Sequence, residues 1–525
     1  MRAKAEKILK RWSLTVAFVV CETACANNLQ ITNIQVIGRN ETTAYVKFDI
    51  SWENSWRFQN GGDLLYYHDA AWVFFKVLPD GRANWEHVIL EGTGTNPTDY
   101  ATGNGTPIEI VVPPDRVGLF VRRSEDGAGT ISAQNLKVVW NIASNNLANT
   151  NSVKIQAFGI EMVYVAGGSF QVGDGTNRGF EAGISGTPFT ITNEVYAITL
   201  GGGGEGSLGN NNGEGMNPSF HDDFNDQTAR TLPASFPKGY APFYCMKYEI
   251  TQGQYADFLN TLTRAQQAER CTATNLNYYM SATPGGSLSS QFRNRVRLTE
   301  DPGPPYARIF TAERPDRSCN YISSQDLMAF ADWAGLRPMT ELEFEKACRG
   351  PLMPVANEYA WGTSTIMVYA NLSISGEENG TETITTDASL GGCNYRNSSH
   401  TGGDGETGPL RAGIFATNNA TRVSAGASYW GIMELSGNEW ERTVPVGVAA
   451  ARTFTGLHGD GVLTSDGKAN VPQWPSELNW RGSSWGDAGS TGEQLCVSDR
   501  FWAADMRPQS RLNLDGGRAV RTAPF

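Results

Sequence analysis

The chain has 525 residues, with 42 Lys and Arg against 54 Asp and Glu, and a formal net charge of −12. This length predicts at least two domains, and the acidic balance argues against a general role in binding nucleic-acid phosphates. With 58 glycines, 14 tryptophans and only 18% charged residues, the composition favours turns and strands, in an all-β or α+β fold.

The first 26 residues have the features of an export signal. Five basic residues precede an apolar run that ends at Cys21, and an A-C-A sequence follows at 24–26. This pattern predicts a cleaved signal peptide over 1–26 and a protein that is secreted or held at the cell surface. A lipid anchor through Cys21 or Cys25 is the weaker alternative. Removing the segment's five basic and two acidic residues leaves a formal charge of −15. No later stretch has eighteen consecutive apolar residues, so we expect no transmembrane span.

The predicted mature chain keeps an even number of cysteines, which in an exported protein favours disulfides. The sequence leaves their connectivity open, and no C-x-x-C spacing indicates a zinc knuckle or a thioredoxin-like centre. The six residues are Cys245, Cys271, Cys319, Cys348, Cys393 and Cys496.

Residues 27–158 contain short alternating segments separated by Gly, Asn and Asp turns, which predicts an immunoglobulin-like β-sandwich. The segments are LQITNIQVIG, TAYVKFDISW, AAWVFFKVL, WEHVIL, PIEIVVP, GLFVRR, LKVVWNI and SVKIQAFGI. Five tryptophans in this region raise the possibility of a carbohydrate platform, but we interpret most of them as core residues. They are Trp52, Trp56, Trp72, Trp85 and Trp140.

The second region, 159–525, carries a Gly- and Asn-rich insertion around 171–238, which includes GGGGEGSLGNNNGEG at 201–215. This composition predicts an exposed insertion or a long loop. Helices are expected after the N-cap residue Thr251, over SSQDLMAFADWAGL, and after Thr340, where Glu343 completes a capping box.

Eight segments of the second region occur in an order that resembles a known family. They are MVYVAGGSF (162–170), KYEITQGQYADFL (247–259), LRPMTELEFEKACRG (336–350), YAWG (359–362), ANL (370–372), GIMELSGNEWE (431–441), WRGSSW (480–485) and GGRAVRT (516–522). The chain thereby resembles the formylglycine-generating enzyme, or sulfatase-modifying factor, family. The resemblance implies a C-type lectin-like domain with long loops over 159–525. We therefore expect an α+β chain in which this domain follows the N-terminal sandwich.

Active members of that family bind Cu(I) through two cysteines and use oxygen to oxidise a substrate cysteine to formylglycine. Soft thiolate ligands suit Cu(I). In the family pattern, the first cysteine lies two residues after the aromatic that closes WRGSSW, and the second lies five residues later. Asp487 and Gly492 occupy those positions, and taking Arg500 as the family's downstream arginine gives the same register. Cys496 lies four residues further on. We expect no copper, a structural role for Cys496 and a protein that is not this oxidase, although residual catalysis stays open.

The resemblance also implies two calcium sites. At the first, the family's ligands correspond to the side chains of Glu434 and Glu441 and to the carbonyl groups of Gly437 and Glu439. Carboxylates and turn carbonyls are suitable donors for this hard cation. A solvated acidic turn is the alternative, because the family more often has Asp or Asn at the position of Glu434.

The second calcium site would use Asn371 and the carbonyl of Leu372, with further ligands from a later loop. That loop is predicted to be GGDGETG, which offers Asp404 and Glu406.

Without the copper pair, a non-catalytic lectin-like protein for surface display, recognition or extracellular assembly is the simplest interpretation. Its partner would be an unknown protein or glycan, or a copy of itself. Loops near the C-terminus are the expected binding surface. The candidates are Trp480, Trp485, Asp487, Arg500, Phe501, Trp502 and Arg507. Trp485 and Arg500 also fit a framework role. A structural subunit of a surface layer, matrix or filament is the main alternative, and the copper-dependent oxidase is the disfavoured one.

Overall fold

The computed structural model describes residues 28–59, 66–176, 179–210, 221–225, 227–366, 371–396, 399–487, 492–506 and 511–524. The predicted signal peptide at 1–26 and the candidate ligand residue Arg507 lie outside these described residues. Within the described ranges, no helix has both the length and the apolar composition that crossing a membrane requires.

Each of the eight strand segments predicted in the N-terminal region contains an observed strand. The strands are β1 (Gln30–Arg39), β2 (Thr43–Gln59), β3 (Tyr66–Pro79), β4 (Glu86–His87), β5 (Gly94–Thr95), β6 (Asn104–Gly105), β7 (Ile108–Val112), β8 (Leu119–Arg123), β9 (Gly127–Asn141) and β10 (Val153–Val165). Alternation of apolar and polar residues, together with turn residues between the segments, is sufficient to define them.

In the described residues, the second region adds short strands and four helices. The strands are β11 (Phe170–Val172), β12 (Phe180–Ala182), β13 (Phe189–Ile191), β14 (Ile198–Leu200), β15 (Leu208–Asn210), β16 (Arg230–Leu232), β17 (Phe243–Met246), β18 (Val296–Glu300), β19 (Ile309–Ala312), β20 (Arg337–Thr340), β21 (Asn371–Ser375), β22 (Thr383–Ile384), β23 (Ser399–Thr401), β24 (Glu441–Val444), β25 (Asn479–Arg481) and β26 (Ala519–Thr522). The helices are α1 (Gln252–Asn260), α2 (Arg264–Arg270), α3 (Ser324–Trp333) and α4 (Glu341–Arg349). The fold is thus mostly β with few helices, as the composition predicts.

One hydrogen-bonded sheet joins the two regions. Its main path runs β25-β24-β20-β26-β17-β10-β3-β2-β9-β6, and five further N-terminal strands pair beside that path. Strand β10 connects the halves because Val153–Val163 pairs with β3 and Met162–Val165 pairs with β17. The predicted domain boundary at 158/159 therefore lies inside a strand, and an immunoglobulin-like sandwich over 27–158 stays a prediction.

Strand β3 is buried on both faces because each face packs against a different core. Trp72 and Phe74 point into the large core that includes the helices, whereas Val73 and Phe75 point into the core of the N-terminal strands. Side chains alternate across a strand, so a strand that lies between two cores has apolar residues at consecutive positions. This placement explains the unbroken apolar run AAWVFF at the start of AAWVFFKVL.

The helix caps agree with the local sequence. Thr251 forms a capping box with Gln254 at the start of α1, and Thr340 forms the predicted one with Glu343 at the start of α4. The apolar stripe of α1, which includes Tyr255 and Phe258, is buried in the large core. These two helices support the loops that carry the candidate site.

The Gly- and Asn-rich insertion differs from the prediction of an exposed loop. Its described residues include the short strands β12 to β16 and most of β11, and the insertion contributes Phe180, Leu200, Leu208 and Phe224, among others, to the large core. Glycines allow the backbone to approach itself closely: a Cβ built on Gly201, whose φ is +66°, would lie 2.1 Å from the Asn225 carbonyl oxygen. The scattered apolar residues are therefore sufficient to pack a segment whose average composition is polar.

Candidate functional site

Arg500 is part of a buried ion-pair network at the start of α4. Its guanidinium donates to Asp222 Oδ2 at 2.6 Å and to Glu341 Oε1 at 3.1 Å. Arg481 donates to the same Glu341 oxygen at 3.0 Å. Both arginines are about 1% exposed, so they anchor the loops to the helix and offer almost no surface to a ligand.

The two predicted ligand-binding tryptophans of WRGSSW are also buried. Trp480 Nε1 donates to Asp515 Oδ1 at 3.2 Å, and the Arg442 guanidinium lies 4.5 Å from the Trp480 ring centre. Trp485 Nε1 donates to the carbonyl oxygen of Asn513 at 3.0 Å. Both indoles thus connect the segment to the last loop before β26.

Asp487, Phe501 and Trp502 are the candidate ligand residues that keep partial exposure. The rings of Phe501 and Trp502 pack edge to face with centroids 4.8 Å apart. With Trp480, Trp485 and Arg500 buried, the accessible part of the predicted surface within the described residues is formed by these three. Their role in binding stays a prediction.

The structure gives the two expected copper positions different environments. Asp487 accepts a hydrogen bond from Ser483 Oγ at 2.9 Å, and burial raises the pKa of its carboxyl against the lowering effect of that bond. Gly492 has a φ of +71°, and a Cβ built there would lie 3.0 Å from Tyr359 Oη. A cysteine at 492 would therefore be strained and crowded by the tyrosine in this backbone conformation.

Cys496 lies in a small apolar cluster with Tyr359, Cys393 and Leu495, among others. Its Sγ donates to the carbonyl oxygen of Asn357 at 3.4 Å. Burial raises the pKa of the neighbouring Cys393 thiol, which favours the protonated form over a thiolate.

The expected disulfides are absent from the described residues: none of the six cysteines there is bonded to another. All six are buried. Buried thiols behave as small apolar side chains, which is the packing role these residues have in the structure.

A cluster of buried carboxylates lies beneath the GIMELSGNEWE turn. Its members, Glu249, Glu434, Glu439 and Glu441, are at most 9% exposed. The backbone N–H of Glu439 donates to Glu249 Oε1 at 2.9 Å, and the backbone N–H of Gly413 donates to Glu434 Oε1 at 2.7 Å. Arg518 donates to Glu441 Oε1 at 2.5 Å. Glu249 and Arg518 were not among the predicted site residues, and both lie far from this turn along the chain.

Several oxygen atoms of this acidic cluster have no hydrogen-bond partner among the described residues. They are Glu434 Oε2, Glu439 Oε1, Glu439 Oε2 and Glu441 Oε2. Burial raises the pKa of Glu434 to about 7, and burial with the neighbouring Glu249 raises that of Glu439 well above its usual value. Buried polar atoms usually have partners, so these oxygens are suited to a proton or a cation.

A left-handed turn positions the acidic cluster. Glu434, Gly437 and Asn438 have φ values of 55°, 92° and 66°. A Cβ on Gly437 would lie 2.8 Å from the Asn394 carbonyl oxygen, so only glycine fits without movement. Asn438, which the sequence analysis also missed, donates to Glu249 Oε2 at 2.6 Å and fixes the turn over the carboxylates.

The predicted calcium donors fit a cation in their chemistry. Glu434 and Glu441 each keep one unpartnered oxygen, and carboxylates with turn carbonyls match the ligand preference of calcium. No three described Asp, Glu, His or Cys side chains are placed to share one metal ion. A cation here would therefore rely on carbonyl groups and water to complete its coordination.

The second predicted calcium site has a competing set of ion pairs. Strand β21, which contains Asn371 and Leu372, pairs in parallel with β23. Both carboxylate oxygens of Asp404 accept hydrogen bonds from arginines, at 2.8 Å from Arg314 Nη2 and at 2.9 Å from Arg317 Nη2. These arginines already neutralise the carboxylate, so this second site stays a prediction.

Comparison with known proteins identifies the family of the domain that contains the GIMELSGNEWE turn. Residues 149–446 match the Sulfatase-modifying factor enzyme 1-like domain. A protein named formylglycine-generating enzyme from Streptomyces coelicolor is 30% identical over 126 residues, which cover 23% of this chain and 40% of the relative. One from Thermomonospora curvata is 24% identical over 216 residues, which cover 38% and 59%. One from Bos taurus is 26% identical over 133 residues, which cover 23% and 33%. The alignments thus span less than two thirds of each relative.

A solved structure titled Major Tropism Determinant U1 Variant is 12% identical, and the match covers 83% of this chain and 85% of that chain. Its TM-score is 0.22, which is too low to bear on the fold.

Proposed function

This chain belongs to the sulfatase-modifying factor enzyme 1-like family, and we propose that it is a non-catalytic, lectin-like member exported for recognition at or outside the cell surface. The family membership is the one predicted from the eight ordered segments. The proposal concerns what this member does, because the copper pair, calcium binding and export are properties of individual chains.

The observation that carries the proposal is the pair of residues at the expected copper positions. A two-coordinate Cu(I) site needs two thiolates, whereas an aspartate and a glycine stand at 487 and 492. Two contacts support the same view. Tyr359 would crowd a side chain at position 492, and Asp487 accepts a hydrogen bond from Ser483, so each position suits the residue it has.

Calcium is proposed to bind at the acidic cluster and to stabilise the turn. Glu434 and Glu441 would hold it through their unpartnered oxygens, together with the carbonyl groups of Gly437 and Glu439. A bound cation would offset the repulsion among four buried carboxylates. The turn over the cluster contacts the loop near Asp487, because the backbone N–H of Trp485 donates to the Asn438 carbonyl oxygen at 2.9 Å.

Export is proposed from the sequence of residues 1–26 alone. An immunoglobulin-like sandwich over 27–158 is proposed from the strand pattern of that region. Two partner classes follow from an extracellular location: a glycan or protein bound by the domain, or copies of this chain in an assembly. Size-exclusion chromatography with and without a calcium chelator separates them, because a discrete monomer in both buffers contradicts the structural-subunit alternative.

The enzyme alternative has one observation in its favour: Cys393 and Cys496 lie in the same apolar cluster, so the described part of the site is not without thiols. The test is to incubate the purified protein with Cu(I), oxygen and a C-x-P-x-R peptide and to follow the peptide by mass spectrometry. We expect the peptide thiol to stay unchanged. Conversion to the aldehyde that is lost in Cys496→Ser would contradict the proposal and identify Cys496 as a copper ligand.

A further inference from the structure

An open cavity of about 670 Å³ lies where the N-terminal strands meet the family domain. One wall is formed by the end of β2 and the start of β3, and the other by residues that follow β17 and by the segment 416–433. The cavity, here called the aromatic groove, is lined by aromatic, amide, hydroxyl and basic side chains that include Trp56, Phe58, Tyr67, Lys247, Arg422 and Tyr429. Its volume is in the usual range of small-molecule sites.

Aromatic rings from both regions face the aromatic groove. Phe58 is 48% exposed, which is unusual for a large apolar side chain. The hydroxyl groups of Tyr67 and Tyr429 lie 2.6 Å apart, and the Tyr67 ring packs 5.5 Å from that of Trp430. The ring surfaces are therefore fixed relative to one another before any ligand arrives.

Trp56 is held by close backbone and charge contacts. Its backbone N–H donates to Asp69 Oδ1 at 3.0 Å, and a Cβ built on Gly431 would lie 3.2 Å from its ring. Lys247 Nζ lies 4.8 Å from the ring centre on one side. Because Gly431 lacks a side chain, the indole can reach the opposite wall of the groove.

The charges around the aromatic groove select against a cation. Lys247 and Arg422 line it, and none of the described residues that line it is acidic. Lys247 already forms an ion pair with Glu161 at 3.3 Å, and Arg422 donates to the Ala360 carbonyl oxygen at 2.9 Å. The ion pair offsets the charge of Lys247, whereas Arg422 keeps its charge, so the lining disfavours a cation more than an anion. The rest of the described lining is aromatic, apolar, amide or hydroxyl, which suits an uncharged ligand that stacks on the rings.

We infer that the aromatic groove binds an uncharged saccharide. A pyranose ring has apolar C–H faces that stack on aromatic rings and an edge of hydroxyl groups that need both donors and acceptors. The rings of Trp56 and Phe58 match the apolar faces. Asn54, Thr417 and Asn418 match the hydroxyl edge, because amide and hydroxyl side chains both donate and accept.

This site does not depend on the copper positions. Three of its aromatic residues, Trp56, Phe58 and Tyr67, precede the family domain, which begins at residue 149. Saccharide binding would deepen the proposed recognition function, and it would also be compatible with an active oxidase. Failure of one proposal is therefore distinguishable from failure of the other.

The test measures binding of maltohexaose, cellohexaose and chitohexaose to the full chain by titration calorimetry. We expect one of these neutral hexasaccharides to bind, and Trp56→Ala to weaken it at least tenfold. Phe58→Ala is the second variant: its exposed ring contributes little to folding, and we expect at least a threefold loss. Trp85→Ala is the matched control, because Trp85 is a partly buried tryptophan that lines a different cavity.

Three outcomes would overturn the inference. One is the absence of binding to all three probes by the folded wild-type chain. Another is binding that neither Trp56→Ala nor Phe58→Ala changes. The third is tighter binding of a proline-rich decapeptide than of any saccharide, since aromatic grooves also bind extended proline-rich segments.

Discussion

The hydroxyl oxygens of Tyr67 and Tyr429 lie 2.6 Å apart and join the start of β3 to the family domain. Tyr67 is also close to Trp430, so the contact couples ring packing to a hydrogen bond. A typical hydrogen bond contributes about 1 kcal/mol to stability. We predict a coupling free energy of about 0.5–1.5 kcal/mol between Tyr67→Phe and Tyr429→Phe, measured by urea unfolding in a double-mutant cycle. Additive effects of the two substitutions would show that the pair does not link the regions.

The acidic cluster predicts calcium-dependent stability. Calcium at 100 times its dissociation constant would add about 2.7 kcal/mol to the free energy of unfolding. We expect this gain to raise the melting temperature of the wild type and to be mostly lost in Glu434→Gln, whose amide oxygen can still accept from Gly413 N–H. The measurement is thermal unfolding with calcium and with EGTA.

Glu53→Gln is the control for that comparison, because Glu53 is exposed and far from the turn along the chain. It should keep the full calcium response. A wild-type melting temperature that is identical in calcium and EGTA would contradict a calcium site at this turn.

Because Arg500 forms buried ion pairs, we predict that replacing it lowers the free energy of unfolding strongly. In Arg500→Met, Asp222 and Glu341 lose a shared cationic partner, and breaking a buried pair in this way costs about 3–5 kcal/mol. The urea midpoint should fall strongly. In Lys468→Met the pair with Asp466 is more than half exposed, so the midpoint should hardly change. Equal effects of the two substitutions would show that the Arg500 network is not needed for the fold.

From the surroundings of His458, we predict that the protein loses stability in mild acid. Its Nε2 accepts from Thr522 N–H at 3.0 Å, its Nδ1 lies 3.5 Å from Asp115, and the side chain is 19% exposed. Burial above all, assisted by Arg521, lowers its pKa to about 3. The His458 imidazole thus stays neutral in the folded protein, whereas in the unfolded chain it takes up a proton below about pH 6.5. The free energy of unfolding therefore falls as the pH falls through that value.

Between pH 7 and pH 5, the wild type should lose about 1–2 kcal/mol more unfolding free energy than His458→Gln, which keeps an acceptor for Thr522. Urea unfolding at several pH values measures the difference. The exposed His221 gives the control His221→Gln, which should follow the wild-type profile. Parallel profiles for wild type and His458→Gln would contradict the lowered pKa.

Local sequence was a reliable guide to individual elements. Alternation identified eight of the ten described N-terminal strands and missed only the two-residue strands β5 and β6, and Thr340 with Glu343 identified the start of α4. Such signals are contained within a few residues, because a strand alternates with period two and a cap bonds to its own first turn. The family followed in the same way from short segments in a fixed order.

Composition was a poor guide to the insertion around 171–238. Its glycines and asparagines predict exposure, yet Phe180 and Leu208 are buried in the main core. The average polarity of a segment does not show which of its few apolar side chains pack against the core of the rest of the protein. The five N-terminal tryptophans differ in burial for the same reason. Trp52, Trp72 and Trp140 are fully buried, whereas Trp56 and Trp85 line cavities.

By itself, the sequence determined the strand-rich composition, the helix caps, the family and the residues at 487 and 492, since each depends on residue identity and short-range order. Tertiary structure decided the rest. It brought Glu249 under a turn that begins almost 200 residues later, buried Trp480, Trp485 and Arg500, and joined Trp56 to Tyr429 across two regions. Burial, pKa and cavity shape arise from side chains that are distant in the sequence, and only the folded chain brings them together.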